Sequence, residues 1–308
     1  MTDDDIFEAA IFRNDKKMDF ILKCNATDIN SIDSEGKTPL YLAAENDKED
    51  VVRLLLVQPT IDVNKGIELG NRAGASPMYI AALHDHAIIM RLLINHSEVD
   101  VNKGRYSDGQ TSLYVAASEG HEEVVKLLLA RQEIDVNKGK TRGEWAGNSP
   151  LHGASQEGHE EVVKLLLARQ EVDVNKGRNS DGRTPLYQAA RNGHDKVVKL
   201  LLAHQDIDVN TAMEGGTWAG HTPLLHASVN NHLETVNLLV SHPEIDVNKG
   251  RISDGYSPLL LAVVFDLPEM VQVLLQHPLI NVNQQRHTDW KTPFFLAAFL
   301  GHDSGINY

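Results

Sequence analysis

The chain alternates between two kinds of short apolar segment, and both have the spacing of a helix rather than of a strand. One kind is a compact run, such as Leu-Tyr-Leu-Ala-Ala at 40–44. The other is a stripe, such as Glu-Glu-Val-Val-Lys-Leu-Leu-Leu at 122–129, in which apolar positions recur three or four residues apart. The stretches between them are rich in Gly, Asn and Asp, which favour turns and loops. This pattern predicts an all-α chain of paired short helices joined by loops.

Two sequence markers recur in step along the chain and define a repeat unit. The first is Thr/Ser-Pro-Leu or a close variant, and it begins at Thr38, Ser76, Thr111, Ser149, Thr184, Thr222, Ser257 and Thr292, at intervals of 38, 35, 38, 35, 38, 35 and 35 residues. The second is Asp-Val-Asn or a variant, and it ends at Asn30, Asn64, Asn102, Asn137, Asn175, Asn210, Asn248 and Asn283. Because the markers keep step, the sequence predicts tandem units, each of which packs on its neighbours.

Each unit predicts two helices with a turn between them. Thr38 has the side chain of a helix N-cap, and Pro39 suits the first helical position because no N–H donor is needed there. The paired alanines that follow allow a neighbouring helix to approach closely. A Gly-His turn, as at 120–121, leads into a second and longer helix. Its acidic start at Glu122 and the basic Arg131 near its end suit the helix dipole.

These features resemble the ankyrin repeat, a turn and two helices over about 33 residues, across essentially the whole chain. The resemblance implies an all-α solenoid of stacked helix-turn-helix units with protruding hairpin loops. It implies one domain over 1–308, in which 1–36 is an N-terminal capping repeat with short helices near 6–13 and 16–23. The further repeats are expected to begin near residues 37, 75, 110, 148, 183, 221, 256 and 291, and the last is incomplete.

The chain departs from the family pattern at two kinds of position. The usual His after Pro-Leu is kept only at His152 and, one position later, at His226, while Tyr, Leu or Phe replaces it elsewhere. We therefore expect the hydrogen bond of that His to be altered or lost in most repeats. The Gly that usually ends the second helix is absent, so we expect a shifted helix end with the same fold.

The loop after each Asp-Val-Asn marker, called a finger here, varies more than the helices do. Long and short fingers alternate, which gives a larger repeat of 73 residues, whereas 120–133 and 158–171 are identical over 14 positions. The equivalent position of the long fingers holds Arg72, Trp145 and Trp218, and Arg and Trp are enriched in interface hot spots. Since ankyrin fingers line the concave binding face, the resemblance implies that these residues contact a partner. Alternatively, each Trp folds back and braces its own loop.

A basic stripe accompanies the fingers. One residue separates each Ser-Asp-Gly of a short finger from an arginine before it, namely Arg105, Arg178 or Arg251, and a Lys follows most Asp-Val-Asn markers. These cations are candidate contacts for an acidic partner. The alternative is that each Lys only balances the nearby Asp of the marker.

The last predicted helix, Pro-Phe-Phe-Leu-Ala-Ala-Phe-Leu at 293–300, is apolar on most of its surface. In a repeat array a second helix would cover it, and the pattern shows none. Two explanations stay open. Either the chain was cut from a longer protein, or this end meets another surface, in which case Phe295, Phe299 and Leu300 would mediate weak self-association.

Composition and charge narrow the choice of partner. The net charge of −14 opposes binding to nucleic acid and to anionic membrane surfaces, and it favours basic protein partners. No apolar run approaches the roughly 20 residues that cross a bilayer, so we expect no membrane insertion. The first residues are acidic, unlike a secretory signal, and the single Cys24 cannot form an internal disulfide. We therefore expect a cytoplasmic location, with the nucleus as the alternative.

The sequence shows no pattern of catalytic chemistry. Most of its 15 histidines belong to Gly-His turns or follow a second helix, and His84 and His86 have no third ligand nearby. Nothing matches a nucleophile elbow. We therefore expect no metal, no cofactor and no enzyme activity. By resemblance, hydroxylation is expected at the asparagines of the marker, at Asn102, Asn137, Asn175 and Asn248.

The sequence thus predicts a non-catalytic protein-protein interaction module, an adaptor, scaffold or inhibitor that binds an unidentified protein through its fingers and concave face. The alternative is a structural or self-assembling solenoid that uses the apolar C-terminal end.

Overall fold

The computed structural model describes residues 3–12, 15–24, 28–70, 72–215 and 218–302. In these ranges the chain forms α-helices and no strand, apart from one isolated antiparallel bridge between Gly104 and Thr111. The helices are α1 (Asp3–Ile11), α2 (Asp15–Lys23), α3 (Pro39–Glu45), α4 (Glu49–Leu56), α5 (Pro77–Leu83), α6 (Ala87–Ile94), α7 (Ser112–Glu119), α8 (Glu122–Leu129), α9 (Pro150–Glu157), α10 (Glu160–Leu167), α11 (Pro185–Asn192), α12 (Asp195–Leu202), α13 (Pro223–Val229), α14 (Leu233–Val240), α15 (Pro258–Val264), α16 (Pro268–Leu275) and α17 (Pro293–Leu300).

The helices form two layers in each of two compact units. One unit comprises Met1–Gly153 with Ala168–Val172, and the other comprises Ala154–Leu167 with Asp173–Tyr308. In the first unit α1, α3, α5 and α7 pack in order as one layer, and α2, α4, α6 and α8 form the other. The second unit repeats this arrangement with α11, α13, α15 and α17 against α10, α12, α14 and α16. The predicted all-α repeat solenoid is confirmed, and the single domain over 1–308 stays a prediction.

The first helix of each repeat begins at a side-chain cap. Thr38 Oγ1 accepts a hydrogen bond from the N–H of Tyr41 at 3.1 Å, and Pro39 takes the first helical position. Ala43 and Ala44 are fully buried, which lets α3 lie close to α1 and α5. The same cap forms at Ser76, Thr111, Thr184, Thr222, Ser257 and Thr292.

The longer second helix expected from sequence occurs in four repeats, where α4, α6, α14 and α16 contain 8 residues and the first helix contains 7. The two helices are equally long in the three repeats from α7 to α12. Both α7 and α8 contain 8 residues. The helix stops early because Ala130, at its C-terminal cap, stays right-handed at φ −69° and the chain then turns, with the N–H of Arg131 bonded to Leu128 O at 3.1 Å. A left-handed glycine cap is used after α7 instead, at Gly120 with φ +79°. The shifted end of the second helix is therefore present.

Asparagine side chains join successive repeats within each unit. Asn102 Oδ1 accepts a hydrogen bond from the N–H of Asp135 at 2.8 Å, and its Nδ2 donates to Glu133 O at 2.7 Å. The asparagine of the Asp-Val-Asn marker therefore hydrogen-bonds one repeat to the next, in addition to preceding a loop. We call these inter-repeat hydrogen bonds of the asparagines seams. The same Nδ2 donation to the next repeat is made by Asn30, Asn64 and Asn137 in the first unit and by Asn175, Asn210 and Asn248 in the second.

Candidate functional site

The fingers are tight hairpins closed by reciprocal backbone hydrogen bonds. In the first long finger the N–H of Ile67 donates to Ala75 O at 3.0 Å and the N–H of Gly74 donates to Ile67 O at 2.7 Å. Short fingers close in the same way, as Arg105 N–H donates to Gln110 O at 3.0 Å and Gly109 N–H donates to Arg105 O at 2.9 Å. These hydrogen bonds close the backbone of each finger, and the finger therefore holds its side chains in fixed positions.

Neighbouring fingers are also bonded to one another. In the first unit the N–H of Tyr106 donates to Ala73 O at 2.9 Å, and the N–H of Thr141 donates to Asp108 O at 2.8 Å. The close approach requires glycine near each tip. Gly74 has a φ of +85°, and a Cβ there would collide with the backbone of Tyr106. The fingers of one unit therefore form a continuous row rather than separate loops.

The three residues predicted at the equivalent position of the long fingers do occupy one backbone position. The carbonyl of each accepts the N–H three residues later, at 2.9 Å for Arg72, 3.1 Å for Trp145 and 3.0 Å for Trp218. Their surroundings nevertheless differ. The prediction that they contact a partner stays a prediction, and the contacts that each makes within the chain follow.

Arg72 is exposed at the edge of a cavity beneath the first long finger. Its guanidinium, together with Lys37, lowers the pKa of Tyr41, although burial and the nearby Glu45 raise that pKa overall. Lys37 itself is paired with Glu45 at 2.9 Å, so Arg72 is the cation left facing the cavity. The cavity has a volume of about 390 Å³ and is lined by Ser34, Glu35, Lys37, Tyr41, Glu45, Ile67, Leu69, Gly70 and Arg72.

Trp145 is half-buried and lies beside a cation. Lys140 Nζ is 6.0 Å from the centre of the Trp145 ring and 5.4 Å from the centre of the Tyr114 ring. Burial lowers the pKa of Lys140, Asp108 raises it and Arg105 lowers it. The Trp ring is thus supported by its own finger while part of it faces solvent.

Trp218 is supported by two histidines that the sequence did not single out together. Its ring centre is 4.9 Å from that of His221 and 5.9 Å from that of His226, and 41% of the residue is exposed. His226 Nδ1 lies 2.9 Å from Tyr187 Oη and 3.3 Å from His221 Nδ1. Bracing and exposure therefore coexist at Trp218.

Burial makes both histidines hard to protonate. It lowers the pKa of His221 to about 4, where Arg251 lowers it further and Asp254 raises it. It lowers the pKa of His226 to about 3, with His221 as the next cause. The pair is neutral near pH 7, which is why two imidazoles can lie in contact inside the second unit.

The short-finger arginines pair with the aspartate of Ser-Asp-Gly. Arg105 Nε donates to Asp108 Oδ1 at 2.6 Å and its Nη2 donates to Oδ2 at 2.8 Å, and Arg251 repeats this pair with Asp254. Arg178 makes the same pair with Asp181 and is only 5% exposed. The spacing Arg-x-x-Asp was the sequence signal for these pairs. A partner contact by these arginines stays a prediction.

The lysines that follow the marker do not balance its aspartate. Lys65 Nζ donates to Asn30 O at 3.0 Å, Lys103 Nζ donates to Asn64 O, and Lys249 Nζ donates to Asn210 O at 2.9 Å. Each therefore bonds to a carbonyl of the preceding repeat and adds to the seam. The alternative offered from sequence, that each Lys only offsets the nearby Asp, is wrong for these three lysines.

The asparagines expected to be hydroxylated are engaged in the seams. Each has a backbone N–H bonded to the aspartate two residues earlier and an Nδ2 bonded to the next repeat, as for Asn137 at 3.0 and 2.6 Å. Asn102, Asn175 and Asn248 share this arrangement and are likewise half-buried. An enzyme would have to open a seam to reach them, and their hydroxylation stays a prediction.

The C-terminal end of the second unit exposes aromatic rings. Phe295 and Phe299 stack with ring centres 6.1 Å apart, and Lys291 Nζ lies 5.3 and 4.8 Å from those centres. Leu300 is exposed beside them. Sequence reasoning missed Trp290, which is 71% exposed and has a φ of +59° where the other fingers have glycine. An apolar groove of about 290 Å³ adjoins this end, lined by Leu259, Val263, Val271, Leu275, Val282, Asn283, Pro293 and Phe294.

Several histidines serve the backbone rather than a metal. His121 Nε2 lies 3.2 Å from Leu83 O, and His194 Nε2 lies 2.8 Å from Gln156 O, so each Gly-His turn is tied to the preceding repeat. Among the residues that the structure describes, no group of three or more His, Cys, Asp or Glu could hold a metal ion. In the same residues no helix is long and apolar enough to span a membrane.

Comparison with known proteins agrees with this architecture. A family model of ankyrin repeats in three copies matches residues 6–67, 63–140, 136–213 and 209–286. No curated protein matches the sequence. Among solved structures, the ankyrin repeat domain of Bcl-3, described as a unique member of the IkappaB protein family, is 24% identical. The match covers 79% of this chain and 100% of that one, with a TM-score of 0.65, and it shows the fold alone. Since the family matches extend over most of its length, the chain belongs to the ankyrin-repeat family.

Proposed function

We propose that this chain is a non-catalytic protein-interaction module, an adaptor, scaffold or inhibitor that holds a partner with its fingers and the adjoining face of its first helices. Ankyrin repeats are generally protein-interaction modules, and the finger geometry supports that role here. We place the module in the cytoplasm or the nucleus, where its single cysteine stays reduced.

The observation that carries this proposal is a rigid row of fingers bearing accessible hot-spot residues. Hydrogen bonds between neighbouring fingers hold the three long and short fingers of the first unit together, and in the second unit they join 176–183 to 211–221 and 249–256 to 284–291 before any partner arrives. A preorganised contact loses little conformational entropy on binding. Arg72 is exposed, and Trp218 keeps 41% of its surface in solvent although its ring is braced. A braced ring that stays accessible is what an interface anchor requires.

Affinity capture from an extract of the source cells tests the proposal. The native chain is compared with Trp145→Ala, with Trp218→Ala and with the double variant. Phe265→Ala is the matched control, because it removes an exposed aromatic ring just after α15, away from the fingers. We expect one protein to be retained by the native chain and by the control and lost with the double variant. The purified partner must then bind the native chain directly.

Two results would overturn this reasoning. Retention of the same proteins by the double variant would show that the tryptophans only brace their loops. A loss that is accompanied by a lower unfolding temperature would trace the effect to folding, so thermal unfolding is measured for every variant. Arg72→Ala, which removes an exposed side chain, then gives an independent test of the same row.

The apolar end of the second unit favours a second candidate, head-to-tail self-assembly. Phe295 and Phe299 are exposed next to the 290 Å³ groove. At the other end of the chain, the capping helices expose Phe12 and Phe20. Stacking of one copy's cap on another copy's last helix would bury both sets of rings in an open, heterologous contact.

Light scattering at several protein concentrations distinguishes the two candidates. Self-assembly requires a mass that rises with concentration and falls to that of the monomer with Phe295→Ser and Phe299→Ser together. A monomeric mass at all concentrations would remove the second candidate and leave the first intact.

A further inference from the structure

Charge is segregated between the fingers and the rest of the chain. The fingers hold 14 of the 29 Lys and Arg residues but only 7 of the 43 Asp and Glu residues. They are therefore basic segments of a chain whose net charge is −14. The fingers counted are 65–75, 103–110, 138–148, 176–183, 211–221, 249–256 and 284–291.

A basic cavity lies between two adjacent fingers of the first unit, 103–110 and 138–148. Its volume is about 430 Å³. It is open on the outer side and has an exposed aromatic ring, that of Tyr106, at its rim. The cavity is lined by Gly104, Arg105, Tyr106, Gly109, Lys138, Thr141 and Arg142.

Two of the three cations that line this cavity have no carboxylate partner. Arg105 is neutralised by Asp108, as described above. In the part of the chain that the structure describes, Lys138 and Arg142 form no ion pair, and Arg142 only donates from Nη1 to Tyr106 O at 3.3 Å. Lys138 differs from its equivalents Lys65, Lys103 and Lys249, because its Nζ makes no bond to the preceding repeat in that part of the chain.

Lys140 lies beside the cavity and also has little negative charge near it. Lys140 is half-buried between the rings of Tyr114 and Trp145 and has only the shared Asp108 to raise its pKa, while burial and Arg105 lower it. An anion brought to this pair of fingers would therefore relieve repulsion among cations that the chain itself leaves uncompensated.

We propose that the cavity between fingers 103–110 and 138–148 binds a carboxylate side chain from an acidic peptide segment of the partner, held by Lys138 and Arg142. The proposal rests on the proposed function and names the chemistry of the partner. Arg142 presents a planar fork that matches a carboxylate, Lys138 supplies a second charge, and Thr141 contributes a hydroxyl. Tyr106 at the rim offers an apolar contact for the residue that flanks the acidic side chain.

A short acidic peptide fits this surface better than a nucleic acid does. The basic fingers are short, and the rest of the chain has 36 acidic against 15 basic residues, as follows from the totals and the finger counts. A long polyphosphate would lie against that acidic surface and be repelled, whereas a single carboxylate reaches only the cavity.

Fluorescence anisotropy of a labelled oligoglutamate peptide tests the proposal on the full chain. Lys138→Gln with Arg142→Gln is compared with Lys126→Gln and Lys199→Gln, which remove the same charge from exposed positions on α8 and α12. We expect the finger variant to weaken binding about tenfold, the loss of roughly one charge-assisted contact. We expect the helix variant to change binding less than twofold and added salt to weaken binding to the native chain.

Three outcomes would overturn the proposal. One is equal binding of an oligoglutamine peptide, and another is an equal loss in the two double variants. The third is tighter binding of a labelled single-stranded oligothymidine at the same ionic strength, which would identify phosphate rather than carboxylate. Lys138→Gln with Arg142→Gln removes no ion pair of the described residues, so we expect an unchanged unfolding temperature.

The peptide-binding experiment and the capture experiment test separate claims. If oligoglutamate does not bind while the partner is still captured through Trp145 and Trp218, the acidic-peptide inference fails and the interaction module stands. If the peptide binds at the cavity but no partner depends on the tryptophans, the carboxylate site stands and the role of the long fingers fails.

Discussion

The buried histidine pair makes the second unit sensitive to acid. His221 is fully buried and His226 nearly so, and each accepts a proton only at a pKa well below the 6.5 of an unfolded chain. The unfolded state therefore binds more protons than the folded state as the pH falls, and folding stability is lost. The effect is absent above pH 6.5 and grows as the pH falls below that value toward the folded pKa values of about 4 and about 3.

The magnitude follows from these two pKa values. One unit of pKa shift corresponds to about 1.4 kcal/mol of stability. At pH 5, about 1.5 units below the pKa of the unfolded chain, each histidine has removed the stability that corresponds to about 1.5 units. Between pH 7 and pH 5 each histidine therefore removes about 2 kcal/mol from the free energy of unfolding, and the pair removes about 4 kcal/mol. The charged and titratable groups near the pair, which set these values after burial, are Arg183, Arg191, His232, Arg251 and Asp254.

Urea unfolding at pH 7 and pH 5, followed by Trp fluorescence and by circular dichroism, measures the loss. His226→Gln keeps a polar side chain beside Tyr187 but cannot titrate. We expect this variant to be less stable at pH 7 and to lose about 2 kcal/mol less than the native chain between the two pH values. His204→Gln, in a partly exposed turn after α12, is the control and should keep the native pH dependence. An identical pH dependence in the native chain and in His226→Gln would refute the reasoning.

Other residues give further tests by chemical denaturation. Asn102→Ala removes two seam hydrogen bonds and should lower stability by about 2 to 3 kcal/mol. Asn283→Ala is the control and should change stability little, because Asn283 ends the last marker, is exposed and makes no side-chain hydrogen bond to another repeat among the described residues. Asp181→Asn leaves a buried arginine charge without its carboxylate and should lower stability by about 3 to 5 kcal/mol, whereas Asp289→Asn, at an exposed pair, should change stability little. Trp290→Gly relieves a left-handed backbone and should raise stability by about 1 kcal/mol, so a decrease would contradict the assigned strain.

The helices were predictable because their signals are local. A capping Thr38 followed by Pro39 fixes where α3 begins through atoms only three residues apart, and the apolar stripe of α8 fixes which face is buried. The second helix ends at a right-handed Ala130 without the glycine of the family pattern, and it exceeds the first helix by one residue, as in α4, or equals it, as in α8.

The sequence predicts which positions of the chain form the fingers, but it does not predict which side chains the finger residues contact. The register of Arg72 and Trp145 follows from the repeat, whereas the pairing of Arg178 with Asp181 was overlooked although its three-residue spacing is visible in the sequence. Trp218 contacts His226, so that a finger packs against the first helix of its repeat. Neither the Trp nor the His shows this contact in the sequence. The cavity at Lys138 exists only because two fingers approach each other.

The asparagine seam has a consequence for how such a gene changes over generations. The same two side-chain atoms meet the same two backbone groups at junction after junction within each unit, as at Asn64 and Asn102 in the first and at Asn210 and Asn248 in the second. Unequal recombination that inserts or deletes whole units therefore leaves each new junction satisfied. Residues 120–133 and 158–171, which are identical over 14 positions, show that two units of this chain share one helix sequence. Such a change would alter the number of fingers in whole steps and leave the remaining seams intact.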